Sequence, residues 1–184
     1  MRARLRGFTL IELAVTLAVA AILLTLAAPS MADLLRANRL AAANNTLVTS
    51  LNVARAESLR RGRPVAICPT TDQRTCSGST DWVTGWVVFE DTNVSGAPAS
   101  PAAAGADAQR LISVSASPGD GFLLTGSDTW YRYAPTGTLS WSTAATGAER
   151  AFVLRNTVCR GNGQRSITVN RIGRIRSAAE ACPQ

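Results

Sequence analysis

The stretch RGFTLIELAVTLAVAAILLTLAAPS, residues 6–30, decides how the chain is read. From Leu13 to Ala28 only Thr16 and Thr25 fall outside Ala, Val, Ile and Leu, and Phe8 to Ile11 bring the run to about the 20 residues that cross ~30 Å of hydrocarbon. One carboxylate, Glu12, stands near its start. A charge within a spanning helix costs roughly 2.5 to 3.5 kcal/mol on insertion scales, so a use for it is expected. Arg2, Arg4 and Arg6 precede the run. Basic residues hold their side of a spanning segment in the cytoplasm, which sends the remainder across. The plainer alternative is a cleaved secretory signal ending at SMA, residues 30–32, but Glu12 is out of place in an apolar signal core.

Composition bounds the rest. The 184 residues, 46% hydrophobic and 5% aromatic, suit one modest domain plus an anchor. All nineteen basic residues are Arg, and His is absent, which removes imidazole as general base or metal ligand. There is no G-x-S-x-G and no metal-ligand cluster, so no catalytic residue, metal or cofactor is expected. The cysteines, Cys68, Cys76, Cys159 and Cys182, lack close metal-ligand spacing and fit disulfides. Three connectivities are open, and the sequence-local one, Cys68 with Cys76 and Cys159 with Cys182, is favoured. Disulfides place the globular part in an oxidising compartment such as the bacterial periplasm.

The amino-terminal stretch resembles the class III signal and anchor helix of type IV pilins and type II secretion pseudopilins. The resemblance implies that residues 1–7 are a leader, that a prepilin peptidase cuts between Gly7 and Phe8, and that Phe8 is then N-methylated. Glu12 matches the family's carboxylate five residues into the mature chain, an assembly contact. The physics agrees: cleavage creates an α-amino cation inside the bilayer, and a carboxylate from a neighbouring subunit offsets both desolvation costs. Residues 8–31 are thus expected to be the transmembrane half of a long helix. Pro29 cannot donate to the Thr25 carbonyl, so a kink or local unwinding is expected there, where pilins of this family loosen when packed in a filament.

Residues 32–62 continue the helix outside the membrane. Leu40, Ala43, Leu47, Leu51 and Ala54 recur in steps of three or four and make one apolar stripe for the core, with Arg60 and Arg61 favouring the negative end of the dipole and Gly62 supplying a left-handed cap. Residues 63–184 read as β structure. The runs PVAIC, GWVVFED, RLISVS, GFLLT, WYRYA, GTLSW, RAFVLR and RSITVN are separated by Gly, Pro, Asn, Asp and Ser clusters, the mark of meandering antiparallel strands. A helix laid on such strands is an α+β domain. Asn93 to Gln109 lacks periodicity and reads as a mobile surface loop; Trp82, Trp86 and Phe89 read as core or sheet-face aromatics. ARAESLRRGRPVAICPTTDQRTC followed by WVTGWVVFEDTN resembles the GspH/FimT branch of minor pilins and pseudopilins.

Charge adds one feature beyond a scaffold. Arg150, Arg155, Arg160, Arg165, Arg171, Arg174 and Arg176 occur with no acid between them, whereas residues 8–149 carry nine arginines against eleven acids. Without the leader the net charge is +4, sixteen arginines against twelve acids, so a local basic patch is expected. In NRIGRIRS, Gly173 permits a turn, and Arg174 and Arg176, ~6.6 Å apart in an extended chain, share a face opposite Ile175. A Cys159–Cys182 bridge would hold this strand in place, contributing about 3 kcal/mol. The CRGNGQR segment lacks the strand-to-helix setting of a phosphate loop and reads as a hairpin turn.

GRIR resembles the Gly-Arg-x-Arg signature that FimT-type pilins carry at this end and that is associated with DNA uptake. Solvated strand arginines with no partner are the plain alternative. Two functions follow as expectations. The first is a non-enzymatic minor subunit of a type IV pilus or type II secretion pseudopilus, single-pass in the bacterial inner membrane with its domain in the periplasm, whose partners are prepilin peptidase and other pilins or pseudopilins. The second is a filament-displayed receptor for double-stranded DNA in natural transformation, acting through Arg160, Arg165, Arg171, Gly173, Arg174 and Arg176.

Overall fold

A computed structural model describes residues 8–93, 96–99, 110–143 and 147–183, the side chains of 26–30 excepted. The expected leader, residues 1–7 with Gly7, and most of the 93–109 segment lie outside the described residues. Among the described residues a single helix, α1 (Leu10–Arg61), is followed by nine strands: β1 (Val65–Pro69), β2 (Gly85–Glu90), β3 (Leu111–Ala116), β4 (Phe122–Gly126), β5 (Tyr131–Tyr133), β6 (Leu139–Trp141), β7 (Glu149–Asn156), β8 (Gln164–Asn170) and β9 (Ile175–Glu180). Helix assignment passes through Pro29 without a break, so local unwinding is not found there. The chain divides into two compact units, residues 1–39 and 40–184; the second begins inside α1.

In the second unit α1 buries the stripe Leu40, Ala43, Leu47, Leu51 and Ala54 against antiparallel sheets. Its end is set by Gly62, whose φ of 64° is the left-handed cap and whose N–H reaches the Ser58 carbonyl at 3.1 Å. Arg60 and Arg61 also grip Glu57, at 2.6 Å each. Hydrogen bonds from Arg60 and then Arg61 pull the Glu57 carboxyl down to about 2.

These nine strands form two antiparallel sheets. The first has the order β3-β2-β1-β5-β6 and the second β4-β7-β8-β9, every pairing antiparallel. Between β3 and β4 the chain leaves the first sheet, and between β4 and β5 it returns. The central strand β1 is buried on both faces. Val65 and Ile67, with Trp86 and Val88 beside them, join the main core under α1, while Ala66, Cys68, Val87 and Phe89 form a second cluster on the opposite face.

An aromatic group joins the two sheets. Trp82 meets Phe152 edge-on at 5.0 Å and Tyr131 at 5.7 Å, and its indole N–H donates to the Asp128 carbonyl. A Cβ at Gly126 would lie 2.4 Å from Nε1 of Trp82, too close for any side chain, so β4 needs glycine beside the indole. Trp82, Trp86 and Phe89 are all buried, and core packing is what they do. The bridges are Cys68–Cys76 and Cys159–Cys182. Inside the smaller loop Asp72 accepts from Thr70, Arg74 and Thr75, and the Thr75 contacts foremost hold its carboxyl well below the usual range.

β9 is the strand read from the sequence only through the extended spacing of Arg174 and Arg176, and it has the weakest strand pattern of its own. IRSAAE carries one β-branched residue, and along it only Ile175 is even partly buried. Pairing with β8, a Ser177 hydroxyl bond to Asn44 at 2.7 Å and the Cys159–Cys182 bridge beyond its end hold it.

Candidate functional site

At the amino-terminal end, Thr9 caps α1. The Glu12 N–H donates to the Thr9 hydroxyl at 3.3 Å, and that hydroxyl lies 3.5 Å from a Glu12 carboxylate oxygen. This is the T-x-x-E capping pattern, with the acid in the first turn where the helix dipole favours it. Beyond it, Leu10, Ile11, Leu13, Val15, Leu17 and Val19 stand 51 to 86% exposed. A helix apolar all round is a helix that something else must cover. The two hydroxyls between Leu10 and Thr25 are already satisfied, Thr16 donating to the Leu13 carbonyl at 2.9 Å and Thr25 to that of Ile22 at 2.7 Å. Among the described residues no helix is long and apolar enough to cross a membrane; the described side chains of this run end at Thr25.

At the other end of the chain the arginines do not form one patch. β8 separates them into two groups about 20 Å apart, because a seven-residue strand lies between its two turns. Arg155, Arg160 and Arg165 gather around the β7–β8 loop beside the Cys159–Cys182 bridge, where Arg165 donates to the carbonyls of Asn162 and Gln164. Arg150, Arg171 and Arg174 gather at the β8–β9 turn. Arg150 belongs to the core side: its Nε is 3.0 Å from the buried carboxylate of Asp128, and its guanidinium lies over Trp141. Arg171 also covers Trp141, at 4.6 Å.

Arg174 and, one strand position beyond the turn, Arg176 face water, as Arg160 and Arg171 also do. Arg174 and Arg176 are exposed on either side of half-buried Ile175, which packs on the core, and neither has a side-chain partner among the described residues. Gly173 is buried, with φ at 75°. Its N–H donates to the Asn170 carbonyl at 2.9 Å, and the Arg174 N–H to the Asn170 side chain at 2.9 Å. No groups able to hold a metal cluster among the described residues.

Residues 43–173, 131 of the 184, match the family described as type II transport protein GspH. The chain belongs to the GspH family. Residues 2–28 of this GspH-family chain match the prokaryotic N-terminal methylation motif, so the match takes in Gly7, Phe8 and Glu12. No curated protein matches in sequence. Among solved structures, the type IV minor pilin FimU of Pseudomonas aeruginosa overlays with a TM-score of 0.52 at 20% identity, covering 77% of this chain and 89% of FimU. A second crystal form of FimU gives 0.48 at 20% identity, covering 74% and 90%. The GspH-family chain therefore has a pilin-like fold, α1 on antiparallel sheets, and is a pilin-like minor pilin or pseudopilin.

Two residues of the site escape a reading of the sequence in segments. Thr9 was legible as the first letter of T-x-x-E. Arg55, whose guanidinium reaches the β8–β9 turn 117 and 118 positions further on, has no local signal.

Proposed function

We propose that this chain is a non-enzymatic minor subunit of a type IV pilus or type II secretion pseudopilus, made as an inner-membrane prepilin with its domain in the periplasm. Prepilin peptidase removes residues 1–7, Phe8 becomes the methylated first residue, and Glu12 meets the amine of a neighbouring subunit. The carrying observation is the exposed apolar helix whose only charge from Phe8 to Met31 is Glu12. A lipid bilayer covers that surface before assembly and other pilin helices cover it afterwards. Capping by Thr9 costs Glu12 none of this role, since one carboxylate serves the first turn and still presents free lone pairs to a cation. Pro29, lacking an N–H, is the point where the helix yields under packing.

The test is incorporation. Glu12→Ala removes a costly acid from the anchor, so membrane insertion persists or improves while sheared filaments lose the subunit, read by immunoblot. Normal incorporation of the variant would refute the assembly role.

A second reading has its own observation. Arg174 and Arg176, exposed and unpartnered among the described residues, leave two guanidinium forks free for phosphate oxygens, and suit a filament-displayed receptor for double-stranded DNA. Arg160 and Arg165 lie at the far end of β8 and would contribute only to a ligand long enough to reach both groups.

A further inference from the structure

The turn that carries these arginines is held by three bonds from outside its hairpin and one from within it. Its four successive carbonyls, from Arg171 to Arg174, accept in order from the Leu139 N–H at 2.7 Å, Arg55 Nη2 at 2.8 Å, Arg55 Nη1 at 3.1 Å and the Asn170 N–H at 3.2 Å. Two of the four come from one guanidinium on α1. A free hairpin turn would leave such carbonyls to water. Arg55 itself is half-buried, spanning the gap between α1, the β5–β6 turn at Gly137 and the β8–β9 turn at Gly173.

The glycines on either side make room for that fork. A Cβ on Gly173 would lie 2.8 Å from the Gly137 carbonyl oxygen and 2.9 Å from Arg55 Nε, and one on Gly137 would lie 3.4 Å from Arg55 Nε. Gly173 is therefore required twice, by its left-handed backbone and by the close approach of Arg55. It is buried, so it offers nothing directly to a ligand.

We infer that Arg55 is a positioning residue for an anion-binding turn: its fork fixes the carbonyls of Ile172 and Gly173, so that Arg171, Arg174 and Arg176 are presented to a phosphate backbone already ordered. This rests on the DNA reading above and adds to it the element that makes the turn rigid. A ligand that had to order the turn would lose affinity by the conformational cost of each residue fixed, and pre-ordering removes that loss. The guanidinium geometry matters more than the charge. Lysine at 55 keeps +1 but cannot bridge two adjacent carbonyls in a plane.

The experiment uses the full mature chain in detergent micelles, with a fluorescent 30-base-pair random duplex titrated at several salt concentrations. Hydrogen exchange at the Gly173 and Arg174 amides is followed in parallel without DNA. Arg55→Lys is expected to speed exchange at both amides and to weaken binding by about fivefold to thirtyfold, the cost of ordering one residue. The slope of log affinity against log salt should stay as in the wild type, because Arg55 touches carbonyls and not phosphate. Arg174→Ala, by contrast, should lower that slope by about 0.9.

Unchanged exchange in Arg55→Lys would overturn the clamp itself, whether or not DNA binds. Faster exchange with unchanged affinity would overturn the positioning role, and a slope lowered as in Arg174→Ala would make Arg55 a phosphate contact instead. If the wild type fails to bind, or Arg174→Ala binds as it does, the DNA reading fails and the positioning role falls with it. The exchange result then still reports separately on the clamp.

Discussion

Breaking the Cys159–Cys182 bridge should act on β9 before it acts on anything else. The bridge closes a segment of sequence separation 23, and the loop-entropy relation gives about 3.4 kcal/mol for such a closure at 25 °C. The same relation gives about 2.6 kcal/mol for Cys68–Cys76, whose separation is 8. Location widens the contrast. Cys68 is fully buried in a strand paired on both sides, whereas Cys182 follows an edge strand whose only buried anchor is half-buried Ile175. In Cys159→Ser/Cys182→Ser the melting temperature should fall by roughly 7 to 14 °C, at about 2 to 4 °C per kcal/mol for a domain of this size. Calorimetry on the full chain in micelles reads it. Amide exchange in β9 should approach that of a frayed terminus while β1 and β7 keep their protection. The reasoning is refuted if β9 remains as protected as β8.

Arg174→Ala with Arg176→Ala should weaken random-sequence duplex binding and lower the salt slope by about 1.8, with thermal unfolding displaced by no more than about 0.5 kcal/mol because both side chains are exposed; fluorescence anisotropy and calorimetry read the two effects. Arg150→Ala, by contrast, should cost about 3 kcal/mol in a denaturant titration, since it strips the buried Asp128 carboxylate of its cation. It belongs with stability variants rather than with charge controls. Glu57 sets an acid limit on the end of α1: its carboxyl is lowered from 4.5 to about 2 in the folded chain, so its contribution is complete above about pH 4.5 and is lost as pH falls towards 2. Glu57→Gln should remove that part of the pH dependence when unfolding is followed between pH 5 and 2.

The helix and eight strands are legible because their cues are local. Leu40 to Ala54 repeats at helical spacing, and GFLLT or RAFVLR alternates between turn residues, so each face can be named before its partner is known. What stays hidden depends on partners far along the chain. For alanine-rich β9, read as extended only around Arg174 and Arg176, the hidden part is what fixes it: β8 beside it, Asn44 on α1 and the bridge beyond its end. That β4 joins β7 rather than β3 has no local signal, and neither has the need for glycine at 126 under Trp82, a contact across more than forty residues. Counting charges shows seven arginines together but is blind to hairpin direction, which sends Arg160 and Arg165 to one end of β8 and Arg171 and Arg174 to the other. Likewise Arg150 looks like surface until Asp128 and Trp141 are placed around it. The amino-terminal motif is the opposite case, since leader, Phe8, Glu12 and the apolar run are contiguous and need no fold to be read.

The most direct test of the central claim is the mass of the amino-terminal peptide of this chain, extracted from membranes and from sheared filaments of a host with prepilin peptidase. A chain beginning at N-methylated Phe8, with Gly7→Val retaining the whole leader, is the predicted result. A mature chain beginning at Asp33, or one that keeps Met1 in assembled filaments, would contradict the account of this protein as a processed pilin-like subunit.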